Sequence, residues 1–556
     1  MTRDRHVRGR SHSPGSHTPT REHGVVRKQW RGRRRVALVY PNAYGAGMAT
    51  LGFQTVYRLL NDLPSVLCER FFYNPGQEPP LVSMESGRSL RQFDIVAFSV
   101  SFENDYLNLL FVLQKAGIPL RAAQREAPHP LVMAGGVACF LNPEPLAAFI
   151  DCFLLGEAEQ MLPAFMAHYD PHAPRQRHLQ SLARQVAGVY VPDAYQPTYG
   201  SDGCLTGFEA MADVPPRITL VKAADVARQP TCTTVVSGQT AFDSAYLVEV
   251  GRGCSHGCRF CSAGYIYRPV RFRDPDMLAQ CLREGARLTR RIGLVGAAVS
   301  DLPNLENLCN LADKQHVSLA FSSLRADALT PRLAATIAAS GIRTATIAPD
   351  AGSERMRWVI KKGLTETQIL SAAESLITAG VLNLRLYYMV GLPTETLADV
   401  ESIIELTLAI REVFVAASRP QGRMGTITIS LNCFVPKPAT PFQWVGMATA
   451  SELKQRITHV KKSLAPVPNL RLLAGSQREA AYQALLARGD RRLTDLLDQT
   501  VTTGGKWRHV VQRAGAQASF YTTRPRALDE RLPWDFIDTG VKKSLLVREY
   551  QRAIKA

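Results

Sequence analysis

Short runs of apolar residues, separated by amphipathic stretches, organise the first half of the chain. Residues 36–40, 95–100, 131–134 and 152–155 read as strands buried on both faces. Between the first two, 48–60 carries Leu51, Val56, Leu59 and Leu60 at helical spacing. This alternation predicts an α/β domain over 36–165 built on a doubly wound parallel sheet. Residues 166–245 are turn-rich at 199–203 and β-branched at 232–236, which predicts a connector with short strands. A second alternation starts at 246–250. Strands are expected at 293–299, 317–321, 343–348, 384–390 and 426–434, and helices near 275–290, 331–340, 366–380, 396–413 and 450–464. Six strand–helix units predict a partial (β/α)6 TIM-type barrel over 246–475, with its functional loops at the strand C-termini. Residues 476–556 read as a mainly helical region with a basic stretch, Arg488-Gly489-Asp490-Arg491-Arg492.

Composition narrows this picture. A chain of 556 residues that is 46% hydrophobic and 21% charged is globular and too long for one core. Lys and Arg outnumber Asp and Glu by 66 to 48, a net +18, and half of the excess lies in residues 1–35, with eleven basic and two acidic residues. That segment reads as a basic, partly disordered tail, of which 21–35 leads into the first strand. The charge hints at an anionic partner such as RNA. No run of about 18 apolar residues and no secretory signal is visible, so a cytoplasmic protein without a membrane partner is expected. The eleven cysteines are then thiols or metal ligands.

Three of them define the chemistry. Directly after the strand at 246–250 comes Gly251-Arg252-Gly253-Cys254-Ser255-His256-Gly257-Cys258-Arg259-Phe260-Cys261, with the spacing C-x3-C-x2-C. Three thiolates on one glycine-rich loop suit three corners of an iron–sulfur cubane and leave one iron open. Zinc held by the cysteines and His256 would crowd four ligands onto eight residues, and a disulfide would leave an odd thiol.

The loop, with the aromatic Phe260 before its last cysteine, resembles the signature of the radical S-adenosylmethionine (SAM) superfamily. The resemblance implies a [4Fe–4S] cluster on Cys254, Cys258 and Cys261 and SAM on the open iron. One-electron cleavage of SAM to a 5′-deoxyadenosyl radical would follow, fed by a reductant such as a ferredoxin or flavodoxin. The strand ends supply further resemblances: Ala348-Pro349-Asp350-Ala351-Gly352-Ser353 with Lys361-Lys362-Gly363, and Met389-Val390-Gly391-Leu392-Pro393-Thr394-Glu395. These imply SAM contacts at Phe260, Asp350, Ser353, Lys362, Gly391 and Pro393, with Asp301, Ser323 and Arg325 as further cleft candidates. Aspartate and lysine stand here where many relatives have glutamate and arginine.

Residues 36–165 resemble the cobalamin-binding-like domain that precedes many such barrels. The resemblance rests on Val39-Tyr40-Pro41-Asn42, Met48-Ala49-Thr50-Leu51-Gly52, Ala134-Gly135-Gly136, Asn142-Pro143-Glu144-Pro145 and Gly156-Glu157-Ala158-Glu159. It implies Gly135, Gly136, Asn142 and Glu144 as corrinoid contacts. The D-x-H-x-x-G motif is absent, so a cobalt there would lack its histidine ligand. Together, 21–556 resembles one group of fused cobalamin-binding-like and radical SAM proteins, marked further by Phe434-Val435-Pro436-Lys437-Pro438. The leading expectation is cobalamin-dependent methyl transfer to an unactivated carbon. The alternatives are a radical enzyme modifying RNA or protein without cobalamin, and a non-enzymatic iron–sulfur or RNA-binding protein. Among the scattered cysteines, Cys433 at the end of the sixth strand is the candidate catalytic thiol.

Overall fold

The computed structural model describes residues 22–76, 80–211, 213–240, 242 and 244–555. The expected disorder of residues 1–21 therefore lies outside the described residues. The N-terminal sheet runs in the order Val66–Phe72, Arg34–Tyr40, Ile95–Ser99, Leu131–Gly135, Cys152–Leu154, Val189–Tyr190. The first five strands are parallel and the last is antiparallel. This is the doubly wound order whose switch point, between the strands ending at Tyr40 and Ser99, opens a crevice at the strand C-termini. The sheet extends past residue 165. Val189–Tyr190, inside the stretch read as connector, closes its edge because Phe153 and Leu154 offer a free ladder.

The strand Val66–Phe72 escapes the apolar reading because Glu69 and Arg70 interrupt it. Both are buried, and Arg70 is held by Glu22 at 2.8 Å and Glu85 at 2.6 Å. The helix read at 48–60 is two helices, Tyr44–Met48 and Leu51–Asp62, and the Thr50 between them is in extended conformation.

The second unit has seven parallel strands rather than six. Tyr246–Glu249, Arg291–Val295 and Ser318–Phe321 form one sheet; Thr344–Asp350, Asn383–Val390, Ile427–Cys433 and Leu470–Ala474 form another. Among the described residues no strand pairing joins the two sheets. Four of this unit's helices start on side-chain caps: Asp274 before Pro275–Leu288, and capping boxes at Thr365, Thr396 and Thr449. Along Asn383–Val390 burial alternates strictly. Leu384, Leu386, Tyr388 and Val390 pack under the helices, which leaves Arg385, Tyr387 and Met389 for the interior.

The C-terminal helices Gln477–Arg488, Thr494–Thr502, Trp507–Thr522 and Lys543–Ile554 pack back on both units. The basic stretch at 488–492 is no open cationic surface. Arg488 is 0% exposed, Arg491 pairs with Glu144 at 2.9 Å, and Arg492 pairs with Asp490 at 2.7 Å. Ile218–Thr219 of the connector pairs with Ile537–Asp538, so the connector is tied into the same body.

Candidate active site

The three cysteines lie on the loop that leaves the first barrel strand, and its backbone is tightly fixed. Gly253 has φ +92°, and a Cβ there would lie 2.7 Å from the Tyr267 carbonyl oxygen. The Cys261 amide donates to the Cys258 carbonyl (3.1 Å), and Tyr265 Oη donates to the Gly257 carbonyl (3.0 Å). Arg259, between two of the cysteines, is 3% exposed. Its guanidinium donates to the carbonyls of Trp358 (3.1 Å) and Val359 (2.8 Å) and to Glu549 (3.1 Å), and its amide donates to Ile360. The loop is thereby clamped to the end of the helix Glu354–Val359. Phe260 packs into the apolar cluster of Met356, Val359, Leu392 and Phe434 that caps the barrel.

Burial pushes the Cys258 thiol up to about 11, opposed by the nearby cations Lys362 and Arg325, and it raises Cys261 as well. A metal would have to displace those protons, as thiolate ligation always requires. His256, which a zinc site would need as fourth ligand, places Nε2 2.8 Å from Asp301 Oδ2. Among the described residues no three His, Cys, Asp or Glu side chains converge to hold a single metal ion. A loop of three cysteines that each serve a different iron of a cubane does not require such convergence. The donor set therefore fits an iron–sulfur cluster better than zinc.

The SAM candidates divide. Arg325, Asp350 and Lys362 gather beside Cys258, where all three contribute to its electrostatic field. Lys362 Nζ lies 2.6 Å from Asp350, Asp350 has φ +65°, and Arg325 donates to the Lys362 carbonyl (3.1 Å). The Asp350 carboxyl is raised by burial, with Lys362 opposing. Asp301 instead serves the cysteine loop, accepting from Ser255 Oγ at 2.6 Å. Ser323 donates to the Gly296 carbonyl (2.8 Å), and Ser353 caps its helix while donating to Asp399 (2.7 Å). Gly391 has φ +84° and donates to Glu395 (2.7 Å), with Pro393 in the same turn.

Cys433 is misplaced as a catalytic thiol. It packs against the helix-side core, where burial raises it to about 11, while the alternation of its strand leaves Thr428, Ser430 and Asn432 for the interior.

A mainly apolar cavity of about 410 Å³ separates the N-terminal sheet from the cysteine loop. Its walls include Ala97, Ser99, Gly135, Gly136 and Gly156 on one side and Gly251, Gly253 and Tyr267 on the other. This is the crevice at the strand C-termini. Gly135 and Gly136 line it, but their lack of a side chain serves the fold first. A Cβ on Gly136 would fall 2.4 Å from the Val100 carbonyl oxygen. Asn142 and Glu144 do not line it. Asn142 donates to the carbonyls of Ala487 (3.1 Å) and Gly489 (2.7 Å), and Glu144 binds Arg491, so both hold the C-terminal region.

Sequence reasoning missed the contacts that join the two walls. Arg252 pairs with Glu159 (2.8 Å), Glu157 (3.2 Å) and Glu249 (2.9 Å), and Arg271 pairs with Glu157 (2.5 Å). The stretch Gly156-Glu157-Ala158-Glu159 was visible, but its carboxylates lie 93 residues or more from their partners, beyond any local spacing signal.

Residues 248–407 match the family model of the radical SAM superfamily, and residues 52–192 match the model described as radical SAM proteins, N-terminal. The chain belongs to the radical SAM superfamily, carrying both its core and this N-terminal domain. A relative, an uncharacterised protein of Methanocaldococcus jannaschii, is 29% identical over 470 residues, covering 84% of this chain and 91% of its own. Among solved structures, the radical SAM methyltransferase TsrM of Kitasatospora setae, with cobalamin and a [4Fe–4S] cluster bound, aligns with TM-score 0.48 and 11% identity. That alignment covers 85% of this chain and 100% of TsrM. The cobalamin-dependent radical SAM enzyme OxsB with aqua-cobalamin aligns with TM-score 0.43 and 16% identity over 67% of this chain, which spans about half, 52%, of OxsB.

Proposed function

We propose that this radical SAM enzyme holds a corrinoid in the cavity between its N-terminal sheet and its cysteine loop and transfers a methyl group to an unactivated carbon. The carrying observation is the cavity itself: apolar, at the switch point of a doubly wound sheet, and walled on its far side by Gly251 and Gly253 of the cysteine loop. Cys254, Cys258 and Cys261 would hold the cluster. The chemistry such a cluster supplies when bound is one-electron cleavage of SAM to methionine and a 5′-deoxyadenosyl radical.

The chain's own residues do the rest. Arg259 locks the loop against the barrel end, so the thiols are presented in one geometry. Arg325, Asp350 and Lys362 set paired charges beside Cys258, suited to orienting the carboxylate and ammonium of SAM. Phe260, Leu392 and Phe434 exclude water from the barrel mouth. The corrinoid would sit without a histidine ligand, since His129, the one histidine in 36–165, lies at the opposite end of the sheet, ahead of the strand Leu131–Gly135.

The test is anaerobic reconstitution with iron and sulfide, then incubation with SAM and dithionite. 5′-Deoxyadenosine forms in the parent and not in Cys258→Ala. Hydroxocobalamin added to the same protein shows a bound spectrum, which Ser101→Trp, filling the cavity, abolishes while 5′-deoxyadenosine formation persists. Absence of any bound corrinoid in the parent would leave a radical SAM enzyme without cobalamin.

A further inference from the structure

Arg259 of the cluster loop is buried, and the surface that lies over it is unusual. Trp358, whose ring lies 5.2 Å from the Arg259 guanidinium, is 54% exposed. Arg259, Lys361 and Arg552 all pair with the single carboxylate of Glu549, at 3.1, 3.1 and 3.5 Å. One buried carboxylate among three cations leaves a positive excess, and Lys361 and Arg552 remain 48% and 61% exposed. Arg548 and Arg552 on the helix Lys543–Ile554, with Lys555 at its C-cap, recur at i, i+4 and i+7, so three exposed cations lie along one side beside Glu549. The nearest acid on the helix that carries Trp358, Glu354, is engaged by Arg357 and by the Glu366 amide.

A large exposed aromatic beside a cluster of exposed cations marks a recognition surface for an acidic partner. Resting on the radical SAM reading, we infer that this patch docks a small acidic one-electron carrier protein bearing a flavin or an iron–sulfur centre. Its position argues for that partner over RNA. Arg259 is the chain neighbour of Cys258 and lies buried against Trp358 and Glu549, so the patch covers the cluster loop. In each encounter one electron leaves the reduced carrier, which is oxidised by one, and the cluster is reduced by one.

Two variants of the full chain test this: Trp358→Ala and the double change Arg548→Glu with Arg552→Glu. Binding of oxidised flavodoxin is measured at low and high salt by biolayer interferometry. 5′-Deoxyadenosine formation is measured with flavodoxin and its NADPH-dependent reductase, and separately with dithionite. The expected result is flavodoxin binding weakened roughly tenfold in each variant, with the salt dependence flattened in the double variant. The flavodoxin-supported rate falls with it, and the dithionite rate stays at the parent level. Unchanged flavodoxin binding in both variants overturns the inference, as does loss of RNA binding alone. If the parent makes no 5′-deoxyadenosine even with dithionite, the functional reading fails, while flavodoxin binding still reports on the surface.

Discussion

Arg252 and Glu159 meet in a two-pronged contact across the boundary between sheet and barrel, with guanidinium nitrogens 2.8 and 3.2 Å from the two carboxylate oxygens. Arg252 lies two residues before Cys254, and Glu159 lies on the first turn of the helix Ala158–His168 that leaves the N-terminal sheet. The contact therefore sets where the cluster loop stands relative to the cavity. The arginines hold the Glu159 carboxyl below its ordinary range even though burial pushes the other way.

Removing the arginine would strand Glu159, since Glu157 keeps Arg271 and Glu249 keeps Arg273. Arg252→Ala is expected to lower stability by roughly 3–5 kcal/mol, the usual effect of breaking one side of a buried ionic network. It also loosens the loop, so iron bound per chain after reconstitution falls. Glu159→Gln keeps one hydrogen bond and loses less. Urea denaturation and an iron assay on the three proteins check the order parent, Glu159→Gln, Arg252→Ala.

Asp105 gives the fold a pH dependence. It is 4% exposed and accepts from Asn42 Nδ2 at 2.8 Å, but it has no basic partner among the described residues, and burial lifts it to about 6. In the unfolded chain the same carboxyl ionises near 4. The folded protein therefore holds the extra proton between these values. Stability contributed by this site falls as pH rises through that window, by up to roughly 3 kcal/mol, and is level above it. Asp105→Asn matches the parent near pH 4 and is more stable than the parent near pH 8, read from urea midpoints at the two pH values.

The reach of the sequence follows from the same physics. The strands at Ile95–Ser99 and Leu131–Gly135 were legible because both of their faces are buried and their residues, Ser99 aside, are apolar. Val66–Phe72 was not, because Glu69 and Arg70 are buried through partners far along the chain. Nor was the edge strand Leu470–Ala474, half exposed and broken by Arg471. The cluster loop was legible because its three ligands fall within eight residues. Asn142, Glu144 and Cys433 misled because motif position says nothing of which way a side chain points. All three point into packing that only the folded chain brings together.

The Lys362–Asp350 pair separates a structural role from a binding one. Asp350 is half-buried beside Cys258 and has φ +65°, and Lys362 is its paired cation at 2.6 Å. Lys362→Met leaves that carboxylate uncompensated and should lower stability by about 3 kcal/mol. Adding Asp350→Asn removes the uncompensated charge and restores most of the loss. If both residues orient SAM, the double variant stays folded with full iron content yet binds SAM roughly tenfold more weakly, a loss of about 1.4 kcal/mol. Denaturation midpoints and equilibrium dialysis with SAM read the two effects separately.

Arg491 tests the basic stretch that first suggested nucleic acid. Its guanidinium donates to Glu144 (2.9 Å), to Tyr190 Oη (3.0 Å) and to the Tyr195 carbonyl (2.9 Å), and Phe208 lies under it at 5.7 Å. All three guanidinium nitrogens donate inside the protein, so this side chain joins the C-terminal helices to the edge strand of the N-terminal sheet. A phosphate contact would need a guanidinium open to solvent. Arg491→Ala should therefore act on the fold, lowering stability by roughly 3 kcal/mol and leaving Glu144 buried without its cation. Retention on immobilised RNA, and the salt concentration that releases the protein, should stay at the parent values. A drop in the salt slope by about one ion with stability unchanged would place Arg491 on an RNA-binding surface instead.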